Sequence, residues 1–388
     1  MHRRPHLPLM AIALMFFAAT TLNVKAGEVY ERIVCPATLQ NPRHDHQFIF
    51  PLKDERLLLV WSEYYANRPS RITRLEFSGH GGDPVIDSRR ISGRISHDKG
   101  RTWSDKFVMQ DSRYPTNVRG GSNLFRLRSG EILFFFGLMY STKDHRIYMK
   151  RSSDECETWS EPVQISTRPG FHWINHDRIL RLSTGRILLP TWWVPQRGKG
   201  GYIAFCYYSD DEGQTWTEAK GKVEIPEDKA RGLAGAQEPS IVELKDGSLF
   251  MVLRTNLAKI YKCHSHDAGE TWTKPTPTEL DAPNSEHLVV RIPTTGDLLL
   301  VWNHTKPFIN NSLPRTPLSS AISRDGGETW SNFRDIENHV GYDCAYPAVT
   351  FLDDEALITY YYGNRADNHG WESVKLKIVP ISWFYRGQ

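Results

Sequence analysis

Five aspartates occur in nearly identical surroundings, each inside the pattern S-x-D-x-G-x-T-W or a close variant of it. They are Asp98, Asp154, Asp211, Asp267 and Asp325. Carboxylates can act as acids, bases or nucleophiles, but in this pattern an aspartate can also accept hydrogen bonds from turn amides, while glycine takes a positive φ. Five equivalent positions of a repeat cannot all face one site. We therefore predict that these aspartates are structural, and that Cys156, which stands where glycine is expected, slightly strains its turn.

A glutamate and an arginine sixteen residues apart are better candidates for chemistry. The segment EPSIVELKDGSLFMVLR runs from Glu238 to Arg254 and reads as strand, turn and strand. A hairpin brings its two outer ends together, so both charged groups could point into a common channel. The alternative is a surface salt bridge at the rim of the hairpin.

The elements that would position these residues follow from the repeat itself. The five patterns begin at intervals of 56, 57, 56 and 58 residues, and glycine-containing turns followed by apolar strands lie between them. About four short strands fit each unit, which is typical of a β-propeller. We predict an all-β fold, a six-bladed β-propeller over residues 27–388, whose two chain ends complete one blade together. The segment 373–385 is its predicted final strand.

The first 26 residues have the layout of a cleavable signal peptide, with Arg3 and Arg4 before an apolar run and Val24-Lys25-Ala26 at its end. The run is shorter than the ~20 residues that a membrane-spanning helix needs. We expect an exported protein, periplasmic or extracellular, without a membrane span after cleavage. The whole chain has 48 basic and 45 acidic residues, and the signal holds three basic and no acidic ones. The balanced remainder gives no support for nucleic-acid binding.

The five cysteines show no C-x-x-C pair, and no histidine or cysteine spacing indicates a metal site or another cofactor. One or two disulfides could form after export, but packed core cysteines are the simpler expectation.

The repeated patterns resemble the Asp-boxes, or BNR repeats, of the sialidase (neuraminidase) superfamily, over the whole chain after the signal. Five copies are specific for this fold and less so for the activity, because such boxes also occur in propellers that are not sialidases. The first blade begins with histidine rather than arginine, which resembles a divergent branch of exported bacterial sialidase-like proteins.

The resemblance implies roles for several residues. Glu238 would be the base that activates a tyrosine nucleophile, and Arg254 and Arg315 would bind the carboxylate of the substrate. Tyr346, in DCAYPAVTF, matches the nucleophile, although Pro347 stands where serine is common. Tyr342 is the alternative.

The general acid of the family lies on a loop shortly before the first box. In GHGGDPVIDSRRISGRIS, Asp87 is the closer match and Asp83 the alternative, and each could instead form an Asx turn.

The family's first carboxylate-binding arginine has no counterpart here. Counting back from the strand at Leu57 reaches Asp45 or His46. Polar residues predicted at the same rim, and so candidates for substrate binding, are His46, Arg119, Asp177 and Arg178, with His172, Asn175, His176, Trp192 and Trp193 near them.

These features predict an exo-acting glycoside hydrolase that releases a terminal sialic acid, or a related acidic sugar such as a uronic acid, with retention of configuration through a tyrosine nucleophile. The alternative function is a non-catalytic Asp-box propeller that binds glycans or another protein. Convergence of Glu238, Tyr346 and an acid on one central pocket would favour the enzyme.

Overall fold

The computed structural model describes residues 29–65, 89–113, 116–198, 201–226, 235–305, 314–367 and 372–386. In these ranges the chain forms β-strands and short 3-10 helices and no α-helix, so the predicted all-β class is confirmed. The signal segment 1–26, Asp83 and Asp87 lie outside the described residues.

The strands follow one another along the chain with short connections. The first thirteen are β1 (Tyr30–Cys35), β2 (His44–Pro51), β3 (Leu57–Tyr64), β4 (Arg89–Ser96), β5 (Phe107–Gln110), β6 (Asn117–Arg126), β7 (Ile132–Ser141), β8 (Asp144–Ser152), β9 (Val163–Gln164), β10 (Gly170–Ile174), β11 (Leu180–Arg181), β12 (Ile187–Val194) and β13 (Ile203–Ser209). The others are β14 (Thr217–Glu218), β15 (Val223–Glu224), β16 (Gln237–Glu243), β17 (Leu249–Arg254), β18 (Lys259–Ser265), β19 (Thr276–Asp281), β20 (Leu288–Arg291), β21 (Leu298–Asn303), β22 (Leu318–Ser323), β23 (Ser331–Glu337), β24 (Tyr342–Leu352), β25 (Glu355–Asn364) and β26 (Glu372–Pro380). The 3-10 helices of the described residues are Lys53–Glu55, Arg365–Asp367 and Ile381–Tyr385.

Four sheets are four-stranded antiparallel meanders, as expected for the blades of a β-propeller. They are β2–β5, β16–β19, β20–β23, and a closing sheet in which β1 pairs with the last of β24, β25 and β26. The strands β6–β15 form a ten-stranded sheet, in which β10 joins β8 by a short parallel pairing at Gly170 and Phe171.

The closing sheet joins the beginning and the end of the described chain, as predicted. Tyr30 of β1 pairs with Ile378 of β26, so the hydrogen-bonding edge of β26 is covered by β1. The predicted final strand 373–385 is too long, because β26 ends at Pro380 and the chain then turns into the 3-10 helix Ile381–Tyr385.

Hydrophobic clusters fill the spaces between neighbouring sheets. One joins Leu59 and Trp61 of β3 to Leu357 and Leu376 of the closing sheet, all nearly or fully buried. Because each sheet packs on both faces, its strands are almost continuously apolar, and each fully buried aliphatic side chain contributes about 1.5–3 kcal/mol. The tryptophans of the five boxes all pack at such seams: Trp103, Trp159, Trp216, Trp272 and Trp330.

The box aspartates are structural, as predicted, and each lies in an exposed or partly exposed turn between the third and fourth strands of its repeat unit. Asp267 accepts hydrogen bonds from the Ser265 hydroxyl at 2.8 Å, the Thr271 amide at 2.8 Å and the Thr271 hydroxyl at 2.5 Å. The other four boxes repeat these bonds. The aspartates therefore hold the turns closed.

The second box has the strained turn that its cysteine predicts. Cys156 adopts a φ of 73°, in the left-handed region where the corresponding glycines Gly100 and Gly269 both have a φ of 86°. Its amide still donates to the Ser152 hydroxyl at 3.0 Å, so the turn keeps its hydrogen bond in spite of the side chain.

All five cysteines are free thiols, and four of them are buried. The expectation of packed core cysteines is confirmed, and no disulfide forms. In the part of the chain that the structure describes, no cluster of histidine, cysteine, aspartate and glutamate side chains could hold a metal ion. No helix within those same ranges is long and apolar enough to cross a membrane.

Candidate active site

The centre of the molecule is surrounded by residues in a left-handed backbone conformation. β2, β6, β16 and β24 each contain a β-bulge, and the bulges hold His46, Gly120, Glu238 and Tyr346 with φ values of 52°, 87°, 47° and 55°. Asp177, shortly after β10, has a φ of 51°. We name these five positions the inner bulges, counting Asp177 with them although it lies in a turn rather than in a strand. Such a conformation costs a non-glycine residue about 1–3 kcal/mol and is typical of functional sites.

A tight hairpin places Glu238 beside Arg254. In the turn between β16 and β17, Gly247 has a φ of 83° and Asp246 accepts a hydrogen bond from the Ser248 amide at 3.0 Å. The register pairs Gln237 with Arg254, so the two charged side chains meet at the open end of the hairpin. Their contact confirms the proximity that the sequence predicts.

Arg254 links the predicted base to the predicted nucleophile. Its Nη1 donates to Glu238 Oε2 at 2.7 Å and to Tyr346 Oη at 3.4 Å, while its Nε donates to Asn284 Oδ1 at 2.7 Å. Glu238 and Tyr346 are 4% and 9% exposed, so both residues are buried. Glu238, Arg254 and Tyr346 therefore form one contiguous cluster.

Arg315 is a second cation against the same tyrosine. Its guanidinium carbon lies 5.5 Å from the centre of the Tyr346 ring, and its Nη1 donates to Tyr361 Oη at 2.8 Å. Its Nη2 donates to the carbonyl of Asn284 at 3.1 Å, so Asn284 contacts both arginines. Both predicted carboxylate-binding arginines thus lie beside Tyr346.

The electrostatics of the cluster keep the tyrosine protonated at neutral pH. Burial raises the pKa of Tyr346, and Glu238 raises it further, while Arg254 and Arg315 oppose the increase. Burial disfavours the charge of Arg254, but Glu238 and Tyr346 raise its pKa above the ordinary value. Attack by Tyr346 would therefore require a base.

His46 contacts Tyr346 from the first sheet. Its ring stacks on the tyrosine ring with a centroid distance of 4.7 Å and an angle of 25°. Its Nδ1 lies 2.5 Å from Oδ1 of the fully buried Asp45, which also accepts a hydrogen bond from Tyr64 Oη at 2.8 Å. Burial opposes ionisation of Asp45, but His46, Arg43 and Arg89 hold its pKa far below the usual range.

Arg178 contacts the backbone next to Tyr346. Its side chain is 2% exposed, and Nη2 donates to Glu286 Oε1 at 2.8 Å and to the carbonyl of Pro347 at 3.0 Å. These bonds tie it to the bulge that carries Tyr346. They favour a positioning role over the substrate-binding role predicted for Arg178.

Glu286 is a buried carboxyl group in the same cluster. It accepts hydrogen bonds from Arg178 and from Asn175 Nδ2 at 3.0 Å, and its Oε1 lies 3.6 Å from Nδ1 of His176. Burial raises the pKa of Glu286 well above the usual range, with Arg178 opposing. His176 contacts the carbonyl of Tyr346 through Nε2 at 3.1 Å, and burial and Arg178 lower its pKa well below the usual range.

Asp177 and Arg119 complete the predicted rim. Asp177 is partly exposed, and the protein around it raises its pKa to about 7 by desolvation, against the effect of Arg178. Arg119 is buried in β6 beside Gly120. Burial lowers the pKa of His145 to about 3, and the positive charge of Arg119 acts in the same direction.

Two tryptophans form an aromatic wall beside His46. The register of β10 and β12 pairs Trp173 with Trp192, and their rings stack 5.6 Å apart. The Trp173 ring lies 5.9 Å from that of His46. Because side chains alternate along a strand, His172 and Trp193 face the other way and pack in the seam with Phe205, so the rim position predicted for these two residues is wrong.

Residues 87–358 match the family described as the BNR repeat-like domain, and this span is well over half of the 388 residues. The chain belongs to this family. The expected relationship to the BNR-repeat sialidase propellers is therefore confirmed. Glu238, Arg254, Arg315 and Tyr346 lie inside the matched span, and His46 lies before it.

Two curated relatives and one solved structure are similar to this BNR-repeat protein. It is 24% identical to a sialidase of Bacteroides fragilis over 248 residues, which are 60% of this chain and 42% of the relative. It is 30% identical to an anhydrosialidase of Macrobdella decora over 206 residues, 50% of this chain and 24% of the relative. The chain thus matches less than half the length of each relative.

The solved structure shares the fold over almost the whole length of both chains. A protein of unknown function from Dyadobacter fermentans superposes with a TM-score of 0.69 at 18% identity, covering 91% of this chain and 99% of the other. This similarity establishes the propeller fold alone.

The sequence prediction missed Glu286, Asn284 and Trp173 in this BNR-repeat site. Glu286 had a recognisable signal, because NSEHLVV has an acidic residue ahead of an apolar strand, as AQEPSIV has at Glu238. Asn284 and Trp173 had none, since each reaches the site only through the packing of different sheets.

Proposed function

We propose that this protein is an exo-acting glycoside hydrolase that releases a terminal acidic sugar, with sialic acid as the first candidate and a uronic acid as the second. The carrying observation is that Arg254 Nη1 lies 2.7 Å from Glu238 and 3.4 Å from Tyr346, with Arg315 beside the same ring. A carboxylate, a tyrosine hydroxyl and two permanent cations thus lie in one cluster. The names of the curated relatives support the same class of reaction.

The two arginines would bind the carboxylate of the sugar. Guanidinium groups match carboxylates through paired N–H donors, and burial strengthens the attraction. In the free protein Arg254 pairs with Glu238. A bound carboxylate would draw Arg254 toward the substrate, which would leave Glu238 free to accept a proton.

Tyr346 would then attack the anomeric carbon. Its Oη forms a bond to that carbon, the tyrosine proton moves to Glu238, and the bond to the leaving-group oxygen breaks while an acid protonates that oxygen. Water next attacks the same carbon, passes a proton to the acid, and the tyrosine oxygen leaves and regains its proton from Glu238. Two displacements at one carbon retain its configuration. A neutral nucleophile avoids the repulsion that a carboxylate would meet from an anionic sugar. Sialidases with a tyrosine nucleophile are exceptions to the two-carboxylate rule for glycosidases.

The acid of this proposal is Asp87, with Asp83 as the alternative, and both lie outside the described residues. Among the residues that the structure describes, Asp177 is a further candidate, because its pKa is raised to about 7 by desolvation and it stands at an inner bulge. A group with a pKa near the working pH is the most effective proton donor.

We also propose that the propeller has six blades and that the protein is exported. If β6–β9 and β10–β15 are separate blades joined by the short β8–β10 pairing, the sheets number six. The hydrophobic clusters support this count, since one cluster joins these two groups of strands just as other clusters join neighbouring sheets. Export rests on the signal-like segment 1–26.

A trapping experiment tests the function. The purified protein is assayed for sugar release from sialosides, glucuronides and matched neutral glycosides, and then incubated with a 2,3-difluorosialic acid. We expect release from an acidic glycoside only, and a mass shift on the peptide that contains Tyr346. Glu238→Gln should retain the fold and lose most of the turnover.

The form of the released sugar and a failure to release sugar both bear on the proposal. Because one relative is named an anhydrosialidase, the released sugar is identified as the free or the anhydro form. Glycan binding without turnover or adduct would contradict the enzyme and favour the alternative, a non-catalytic glycan-binding propeller.

A further inference from the structure

A cavity of about 340 Å³ lies between the closing sheet and the sheet β2–β5. Cys35, at the end of β1, lines one side of it, and residues of β2, β3 and β4 line the other. Among the residues that the structure describes, this lining shares none with the cluster around Tyr346. The volume is at the lower end of the ~300–1,000 Å³ of small-molecule pockets, so the cavity has room for a small ligand.

Three residues that line the cavity each have a buried polar atom without a hydrogen-bond partner in the described part of the chain. These atoms are Nδ1 of His44, Nε1 of Trp61 and Nε of Arg94. The residues His44 and Trp61 are only 2% and 1% exposed. Because a buried polar atom without a partner is costly, three of them around one cavity indicate that a ligand or ordered water occupies it.

The three atoms require both a donor and an acceptor from the occupant of the cavity. Nε2 of His44 lies 3.2 Å from the carbonyl oxygen of Pro36, and a carbonyl only accepts, so Nε2 carries the ring hydrogen. Burial lowers the pKa of His44 to about 4, with Glu63 opposing, so the ring is neutral at pH 7 and Nδ1 is an acceptor. Nε1 of Trp61 and Nε of Arg94 can only donate. A hydroxyl group satisfies both kinds of atom, whereas a carboxylate has no hydrogen to donate to His44.

The charges that line the cavity are balanced. Lys106 and Arg94 supply two cations, and Glu63 and Asp105 supply two carboxylates. The Lys106 ammonium donates to Glu63, so one charge of each sign is already paired. This balance favours a neutral ligand, in contrast to the arginine pair beside Tyr346.

Hydrogen bonds hold the wall of the cavity in place before any ligand binds. Asn41 Nδ2 donates to the carbonyl of Tyr64 at 3.0 Å, and Asn41 Oδ1 accepts from Lys106 Nζ at 3.0 Å. Glu63 Oε2 accepts from the Ser92 hydroxyl at 3.0 Å. A wall that is already ordered lowers the entropic cost of binding a small molecule.

We propose that this cavity is a second ligand site, which binds a neutral, hydroxyl-rich molecule of the size of one sugar ring. Trp61 and Arg94 donate to its hydroxyl oxygens, and His44 accepts a hydroxyl hydrogen. The ligand is a free monosaccharide or one neutral sugar of a longer glycan, since both present the same hydroxyl groups. The site is independent of the proposed hydrolysis at Tyr346.

NMR of the tryptophan indoles tests the site. The chain has 12 tryptophans, so protein labelled with ¹⁵N-tryptophan gives few indole signals, and Trp61→Phe assigns the one that matters. The probes are the methyl glycosides of glucose, galactose, mannose and N-acetylglucosamine. We expect a saturable shift of the Trp61 signal with at least one of them. Arg94→Met keeps the stem of the side chain and removes its N–H donors, so it should weaken that binding about tenfold or more.

Arg128→Met is the matched control. Arg128 is exposed in the turn between β6 and β7, outside the cavity, so this variant should bind the sugar as the wild type does. Both arginine variants should turn over a small acidic glycoside at the wild-type rate. If Trp61→Phe does not fold, calorimetry of the wild type and the two arginine variants decides the question.

A neutral tetrasaccharide of the bound sugar distinguishes the two sources. Tighter binding of the chain than of the monosaccharide would identify a glycan as the ligand, and equal or weaker binding would identify the free sugar; both results support the site. Three results would overturn it: no binding of any of these probes at millimolar concentration, which would mean ordered water only; tighter binding of glucuronic acid than of glucose; or undiminished binding by Arg94→Met. Sugar binding at this cavity by a protein without hydrolase activity would keep the site and overturn only the proposed function.

Discussion

The outer box turns and the inner bulges both recur around the molecule. The box turns share their side chains, whereas the inner bulges share only their backbone conformation. In the boxes the same side chains recur, and Asp98, Asp211 and Asp325 make the same bonds to serine and threonine. At the inner bulges the backbone conformation recurs, with φ values of 52°, 47° and 55° at His46, Glu238 and Tyr346, but the side chains all differ.

This difference separates scaffold from site. A turn that closes a hairpin needs the same hydrogen bonds in every unit, so its residues are the same. A central site needs different groups at different points of a ring, so the residues at the inner bulges differ while the backbone presents His46, Glu238 and Tyr346 in the same way. Substitutions at the two kinds of position should therefore affect different measurements.

The largest effect should come from an inner bulge. Tyr346→Phe keeps the ring that packs on His46 and removes the oxygen, so turnover of an acidic glycoside should fall by a factor of about 10³ or more. The melting temperature should change little, since the lost contact to Arg254 is a long 3.4 Å.

Tyr342→Phe is the matched control. Tyr342 stacks on His339 and Tyr362 at 4.2 and 4.5 Å, away from the arginine cluster, so this variant should remain fully active. Full turnover by Tyr346→Phe would place the chemistry elsewhere and remove the distinction between the two regions.

A substitution in a box should lower the stability of the protein and leave its activity unchanged. Asp267→Ala removes three hydrogen bonds in an exposed turn and should lower the free energy of unfolding by about 1–3 kcal/mol. Urea denaturation gives the stability, and kcat/KM for the acidic glycoside should stay at the wild-type value. Strong loss of activity in a folded Asp267→Ala protein would contradict the structural role.

Asp177 offers a pH test of an inner bulge. Its pKa is about 7 in the folded protein, raised by desolvation, and near ~3.9 in an unfolded chain. The folded state therefore binds more protons between these values, and its stability decreases as pH rises through this window. Asp177→Asn removes the titration and should raise the melting temperature relative to the wild type at pH 8 but not at pH 4. Equal differences at both pH values would show that Asp177 is not desolvated.

The smallest effect should come from the one irregular box. Cys156→Gly places glycine at a φ of 73° and should stabilise the protein by about 0.5–1 kcal/mol, after the lost packing of the half-buried thiol is subtracted. Cys156→Ala is the control, because it removes the thiol but keeps a Cβ in the left-handed region. If alanine stabilises as much as glycine, backbone strain is not the cause.

The sequence by itself determined whatever depends on residues close together along the chain. The bonds of a box join residues two and four positions apart, so the pattern alone identified the turns and their number. Glu238 and Arg254 are separated by 16 residues and a single tight turn, so hairpin geometry predicted their contact. The recurring turns and apolar strands likewise predicted an all-β propeller, because only packing between sheets could bury such strands on both faces.

Only the tertiary structure decided which residues of different sheets meet at the centre. Tyr346 lies 92 positions from Arg254, and Arg178 lies 108 positions from Glu286, so each contact requires several sheets to assemble first. The positions of the bulges could not be predicted from the sequence either. Each one shifts the register within a strand and re-aims the side chain beside it, as at His46 and Tyr346, and the alternation of apolar residues does not reveal where this happens. Local hydrogen bonds are encoded in short patterns, whereas the aim of a side chain into a shared centre depends on the backbone path of the whole ring.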